Sequence, residues 1–196
     1  MSTLDLGQIE RQAWQSYHED GLMDIAFGSL LLFVYVGSTA DRFHWGAIVA
    51  LLLVGPALAL AKRMVTAPRL GRVEFSTARK GRKRRVVLFI AAAVAASTLI
   101  PLVLGGDEWL RSHTTFVSVG LGVLVFTVFA AIAFWLDLRR MYGVGVLFGG
   151  AFTSTELLDT PLPMLIAGSI VALSGAARLI IFLRRYPRAS VGNGPR

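Results

Sequence analysis

The chain has 196 residues, of which 55% are hydrophobic, and its mean hydropathy is +0.62. A soluble domain needs a largely polar surface, so this composition indicates an integral membrane protein. The net charge of +8 would favour nucleic acid as a partner of a soluble protein, but here the basic residues concentrate in alternate connections between apolar stretches. The absence of cysteine excludes disulfides, thiolate metal sites and iron–sulfur clusters.

The N-terminal segment, residues 1–21, lacks the basic and apolar regions of a secretory signal. Apolar side chains recur there at helical spacing, at Leu6, Ile9, Ala13 and Tyr17. This pattern predicts a short amphipathic helix on the inner membrane surface. A soluble docking helix or a frayed end is the alternative.

Six apolar stretches of about membrane-spanning length follow. The predicted spans are 22–39 and 45–61 in hairpin 1 (22–61), 86–104 and 115–136 in hairpin 2 (86–136), and 142–158 and 162–183 in hairpin 3 (142–183). Helices of this length satisfy their own backbone polar groups in lipid. The predicted fold is therefore an all-α bundle of six transmembrane helices, built from three consecutive helical hairpins.

The basic residues fix the predicted orientation. The connection 62–85 holds ten Lys or Arg against one acid, and the segment 184–196 holds four, whereas the connections 40–44 and 105–114 hold one each. By the positive-inside rule, both termini and the loop 62–85 lie in the cytoplasm. The excess of arginine over lysine is typical of a GC-rich bacterial genome, so we expect the bacterial inner membrane. The tail 184–196 is expected to be partly disordered.

The basic cytoplasmic loop 62–85 carries more charge than orientation requires. Its predicted binding residues are Arg69, Arg72, Arg79, Lys80, Arg82, Lys83, Arg84 and Arg85. An anionic lipid surface attracts each nearby basic residue by roughly 1 kcal/mol, which predicts binding of anionic headgroups or of an acidic cytoplasmic protein. A purely topogenic role is the alternative. Nucleic acid is disfavoured because no aromatic or glycine pattern for base contact accompanies the charge.

Two short segments, from Pro68 to Phe75 and from Asp20 to Ile25, have distinctive motifs. These motifs resemble those of an uncharacterised group of small prokaryotic multi-spanning membrane proteins. The first is a Pro-Arg-x-Gly-x-Val-x-Phe segment, Pro68 to Phe75, in which Arg69 and Arg72 are placed to hold one phosphate or carboxylate. The second is an Asp-Gly-Leu-x-Asp-Ile segment, Asp20 to Ile25. The resemblance implies a shared fold and a shared cytoplasmic feature, and it implies no known activity.

Ionisable residues within spans are candidate functional residues because they are costly in hydrocarbon. Asp24 lies at the inner end of the first span, with Tyr35 on its face, and Arg178 lies at a similar depth in the sixth span. We predict that Asp24 and Arg178 pair where the first and last hairpins meet. In the alternative, Arg178 extends to the headgroups and Asp24 is in water.

The fifth span has a face of small and polar residues. Its glycines include a GxxxG pair, Gly145 and Gly149, which lets another backbone approach closely and suggests a homo-oligomer. Its outer half contains Thr153, Ser154, Thr155 and Glu156. Tight packing is one interpretation of this face, and a polar path for a small transporter or channel is the other.

No catalytic, cofactor-binding or recognised metal-ligand pattern is present in the sequence. The predicted function is therefore non-enzymatic, a scaffold or binding subunit of the membrane. Its expected ligands are anionic headgroups or an acidic partner at the basic loop. No cofactor is expected.

Overall fold

The computed structural model describes residues 18–39, 44–70, 77–103 and 114–187, and the regular elements in these ranges are all helical. The long helices are α1 (Leu22–Thr39), α2 (His44–Ala61), α4 (Thr77–Val103), α5 (Thr114–Leu136), α6 (Arg140–Leu158) and α7 (Leu162–Arg185). A π-helical segment (Lys62–Thr66) and a short helix α3 (Ala67–Leu70) follow α2. The predicted all-α class is confirmed.

Within the described ranges, three helices are long and apolar enough to cross a membrane. They are α1, the part of α5 from Thr115 to Leu136, and α7. Several such helices in one chain are typical of a multi-pass membrane protein. The structure therefore supports three of the six predicted spans by this criterion. The other three predicted spans are also helical, but α4 begins with basic residues and α6 contains Glu156 and several glycines.

The helices pack in pairs around an apolar core. The most extensive contacts join α1 to α7 and α5 to α6, and further contacts join α1 to α2, α6 to α7 and α4 to α5. Aromatic rings connect the two main pairs: the ring centroids of Phe27 and Phe129 are 5.1 Å apart, and those of Phe129 and Phe148 are 4.8 Å apart. The first and last predicted hairpins are therefore neighbours in the fold.

Glycines bring α1 and α7 to backbone contact. A Cβ atom on Gly28 would lie 2.4 Å from the backbone nitrogen of Ala172, and one on Gly175 would lie 2.6 Å from the backbone nitrogen of Ile25. A similar contact joins α5 and α6, where a Cβ on Gly149 would lie 2.6 Å from the carbonyl oxygen of Gly122. Small residues in these positions allow the helix axes to approach closely.

The basic segment 62–85 differs from the predicted loop. Both of its described parts are helical, because Lys62–Thr66 continues α2 as a π-helix and α4 already begins at Thr77. The basic residues from position 79 onward therefore lie on the first turns of α4. The predicted extended segment around Val73, the amphipathic helix before His18 and the tail beyond Pro187 lie outside the described residues.

Candidate functional site

Two carboxylates are buried where the chain enters α1. Asp20 is 0% exposed and Asp24 is 2% exposed. Gly21 lies between them with a φ of +71°, a left-handed conformation that favours glycine, and a Cβ at this position would collide with the carbonyl oxygen of Gly175. Asp20 Oδ1 accepts a hydrogen bond of 3.1 Å from the backbone N–H of Leu22, as an N-terminal capping group does.

The π-helical segment after α2 supplies partners for Asp20. Thr66 Oγ1 donates a hydrogen bond of 2.7 Å to Asp20 Oδ2, and Lys62 Nζ lies 3.6 Å from the same oxygen. Thr66 and Lys62 are both buried. Because a single turn of π-helix carries both side chains, the C-terminal end of α2 is tied to the start of α1. Such π-helical turns occur frequently at functional sites.

Two arginines from other helices surround Asp24. Arg140 Nη1, at the first residue of α6, lies 3.1 Å from Asp24 Oδ2, and Arg178 Nη1, in α7, lies 3.6 Å from the same oxygen. Arg140 Nη2 also donates a hydrogen bond to the backbone carbonyl of His18. The Arg140 side chain is 16% exposed and that of Arg178 is 46% exposed. Arg140 is therefore the buried counterion of Asp24.

These side chains form one group at the end of the bundle, the buried ion cluster, which consists of Asp20, Asp24, Lys62, Thr66, Arg140 and Arg178. It joins α1, the end of α2, α6 and α7. Asp24 Oδ1 and Arg140 Nε are buried without a hydrogen-bond partner among the described residues. Three cations thus surround two carboxylates, and each carboxylate has at least one cation within 4 Å. These contacts offset the cost of burying the charges.

The described contacts of the buried ion cluster are ion pairs and hydrogen bonds between helix ends. The hydroxyl of Thr66 donates to the carboxylate of Asp20, whose oxygens also face Lys62 and the backbone N–H of Leu22. The described ranges contain no group of three or more metal-ligating side chains. The chemistry of the cluster is that of a charged clamp between helices.

The predicted intramembrane candidates lie in two places. Asp24 and Arg178 are in contact, as predicted. Tyr35 lies three helical turns from Asp24, and its carbonyl accepts hydrogen bonds from the hydroxyls of Ser38 and Thr39. It is not part of the buried ion cluster.

The polar face of α6 packs largely against α5. Thr153 Oγ1 donates a hydrogen bond of 3.4 Å to the carbonyl of Ser118, and Ser154 is partly buried. Thr155 Oγ1 is buried without a partner among the described residues, and Glu156 is exposed. Gly149 on the same face contacts the backbone of α5. This arrangement favours the packing interpretation of the face.

The predicted headgroup-binding residues fall in three groups. Arg69 Nη1 donates a hydrogen bond of 2.7 Å to the carbonyl of Val65 at the end of the π-helical segment. The side chains of Arg82, Arg84 and Arg85 are exposed on α4. Arg79, Lys80 and Lys83 also lie on α4, and Arg72 lies outside the described residues.

Lys62, Thr66 and Arg140 were not predicted from the sequence as partners of the two carboxylates. One signal was available: Asp20 and Asp24 are four residues apart, so they share one side of the chain as it enters α1. Burying two carboxylates is costly unless cations lie nearby to pair with them. Which cations they are depends on how the helix ends meet, and this is not visible in the local sequence.

The buried ion cluster lies next to the two sequence segments noted above for their resemblance, of which residues 20–25 and 68–70 lie within the described ranges. Asp20 opens one segment, and its partner Thr66 lies two residues before Pro68, which opens the other. Comparison of the chain with protein-family models, with curated proteins and with solved structures finds no match. The class that fold and site define is thus an all-α protein with candidate membrane spans and a charged clamp at one end.

Proposed function

We propose that this chain is a six-span protein of the bacterial inner membrane, with both termini in the cytoplasm, and that its basic segment binds anionic lipid headgroups. Its role is that of a non-enzymatic scaffold or binding subunit. The observation that carries the proposal is the exposure of Arg82, Arg84 and Arg85 on the first turns of a helix that continues as an apolar stretch.

The length of α4 supports this placement. The helix has 27 residues, which corresponds to about 40 Å at a rise of 1.5 Å per residue. A hydrocarbon core of about 30 Å is shorter than that. If the apolar part of α4 crosses the core, its basic turns extend into the headgroup layer, where anionic lipids attract exposed cations.

Helix connectivity supports the six crossings. The chain passes from α5 to α6 and from α6 to α7 through turns of only a few residues, and α6 packs against both neighbours. α5 and α7 are both candidate spans. A helix of 19 residues that lies beside them covers about 28 Å, close to the thickness of the core.

The basic residues of the buried ion cluster differ from the exposed arginines of α4 in their partners. Lys62 and Arg140 of the buried ion cluster are matched to carboxylates. The exposed arginines of α4 are available to ligands outside the protein. An acidic protein partner would use the same surface, but the position of the arginines next to an apolar stretch favours lipid.

Removal of two exposed arginines from α4 tests the proposal. We expect Arg84→Gln/Arg85→Gln to weaken binding of phosphatidylglycerol to the purified protein about 30-fold, since two headgroup contacts contribute about 2 kcal/mol. Native mass spectrometry with increasing phosphatidylglycerol measures this affinity, and phosphatidylcholine serves as the zwitterionic reference.

The matched control removes two exposed arginines from other elements, as Arg139→Gln/Arg184→Gln. These residues are not clustered on α4, so a smaller loss is expected. Equal losses in both variants, or unchanged binding in the α4 variant, would refute a dedicated surface on α4.

A further inference from the structure

A second cationic feature lies at the C-terminal end of α7. It is a cleft of about 230 Å³, lined by Glu19, Arg178, Ile181, Phe182, Arg185 and Tyr186. The four lining residues from α7 follow i, i+3, i+4 and i+7 spacing, so they share one face of the helix. Two arginines therefore border one cleft, separated by two helical turns, with apolar side chains between them.

The charge of this cleft is only partly compensated within the protein. Arg178 directs Nη1 toward Asp24, but its side chain is 46% exposed and also lines the cleft. Arg185 is exposed, and its guanidinium carbon lies 5.8 Å from the centroid of the Tyr186 ring. Among the described residues that line the cleft, Glu19 is the one carboxylate. Arg178 shares Asp24 with Arg140, so Arg178 and Arg185 together are only partly neutralised by Glu19 and Asp24, and the remaining positive charge favours an anionic ligand.

The apolar walls indicate which anion suits the cleft. Phe182 is 3% exposed and forms the floor, and its ring packs against Tyr186 at 5.1 Å. Ile181 is 64% exposed beside the cleft and offers a surface for a hydrocarbon chain. A soluble anion would leave this surface unused, whereas a phospholipid would use the charged rim and the apolar wall together.

We propose that this cleft binds the phosphate group of one anionic phospholipid from the inner leaflet. The phosphate lies between Arg178 and Arg185, and an acyl chain follows Ile181 toward the membrane centre. About 10 Å of helix rise separates the two arginines, and both have long side chains that can converge on one group. The inference rests on the proposed orientation of the chain, but the site is separate from the surface on α4.

A phosphate bound in this cleft would also place the lipid next to the buried ion cluster. Arg178 contacts both the cleft and Asp24, so the ligand would sit one side chain away from the buried ion cluster. The site was not visible in the sequence, since Arg185 lies in the basic tail and Glu19 in the N-terminal segment.

Variants of the exposed arginines at the end of α7 test this inference. We expect Arg185→Gln to weaken the first phosphatidylglycerol bound to the purified full chain about five-fold, the effect of one basic residue at an anionic surface. Arg184→Gln is the matched control, because Arg184 is an exposed neighbour that does not line the cleft. Arg185→Lys retains the charge and should retain most of the affinity.

Three outcomes of the native mass spectrometry titration separate the proposals. If Arg185→Gln leaves the first binding step unchanged while Arg84→Gln/Arg85→Gln weakens later steps, the cleft is not a lipid site and the surface on α4 stands. If neither variant changes binding, both proposals fail. If millimolar inorganic phosphate displaces the first lipid, the cleft selects a free anion and the lipid assignment is wrong.

Discussion

Asp24→Asn is expected to lower the free energy of unfolding by about 3–5 kcal/mol, the usual cost of removing one partner from a buried ion pair. The substitution removes the negative charge that faces Arg140 and Arg178 at 3.1 and 3.6 Å. Arg140 is mostly buried and would be left without its counterion. Unfolding of the purified protein in mixed micelles, followed by circular dichroism during titration with sodium dodecyl sulfate, measures the change.

The control for this substitution is Asp159→Asn. Asp159 is exposed and has a φ of 49°, which asparagine tolerates, so this change should alter stability little. The arginine partners should rank by burial, with Arg140→Gln more destabilising than Arg178→Gln. If Asp24→Asn is no more destabilising than Asp159→Asn, the buried ion cluster does not act as a clamp.

Gly28→Ala is expected to destabilise the protein by about 1–3 kcal/mol through overpacking. The added Cβ would lie 2.4 Å from the nitrogen of Ala172 and 2.7 Å from the carbonyl oxygen of Gly168. Both atoms belong to the backbone of α7, so the contact can be relieved only if α1 and α7 move apart. The same detergent titration measures the loss.

Gly150→Ala provides the matched control for Gly28→Ala. A Cβ on Gly150 meets no atom within 4 Å, although it lies in the interior of α6. Alanine is favoured over glycine in a helix by up to about 1 kcal/mol, so this variant should be neutral or slightly more stable. Equal effects of the two substitutions would show that α1 and α7 do not pack at backbone contact.

The helices were predictable because each apolar run is long and bounded by turn residues or charges. The first span was predicted at 22–39, and α1 covers the same residues. The start of α4 was missed by nine residues, at Thr77 instead of 86. Arginine and lysine are good helix formers, so the helix continues into the basic run where the apolar pattern has already stopped.

Only the part of the candidate site that follows from the depth of a residue along its helix was predictable from the sequence. Asp24 and Arg178 were expected to pair because both lie at a similar depth near the predicted inner ends of their spans. The role of Arg140 depends on the packing of α6 against α7 and on the position of the His18 carbonyl. The contact of Lys62 with Asp20 depends on a π-helical segment. Neither arrangement leaves a repeating pattern in the sequence.

Labelling of single cysteines tests most directly whether the arginines of α4 lie in the cytoplasm. The chain has no cysteine, so each variant carries one reporter. Gly81→Cys reports on the basic turns of α4, where a Cβ meets no atom within 4 Å, and Thr160→Cys reports on the turn between α6 and α7. We predict that a membrane-impermeant maleimide labels Thr160→Cys in intact cells and labels Gly81→Cys only after permeabilisation. Labelling of Gly81→Cys in intact cells would contradict the proposed orientation and, with it, both proposed lipid sites.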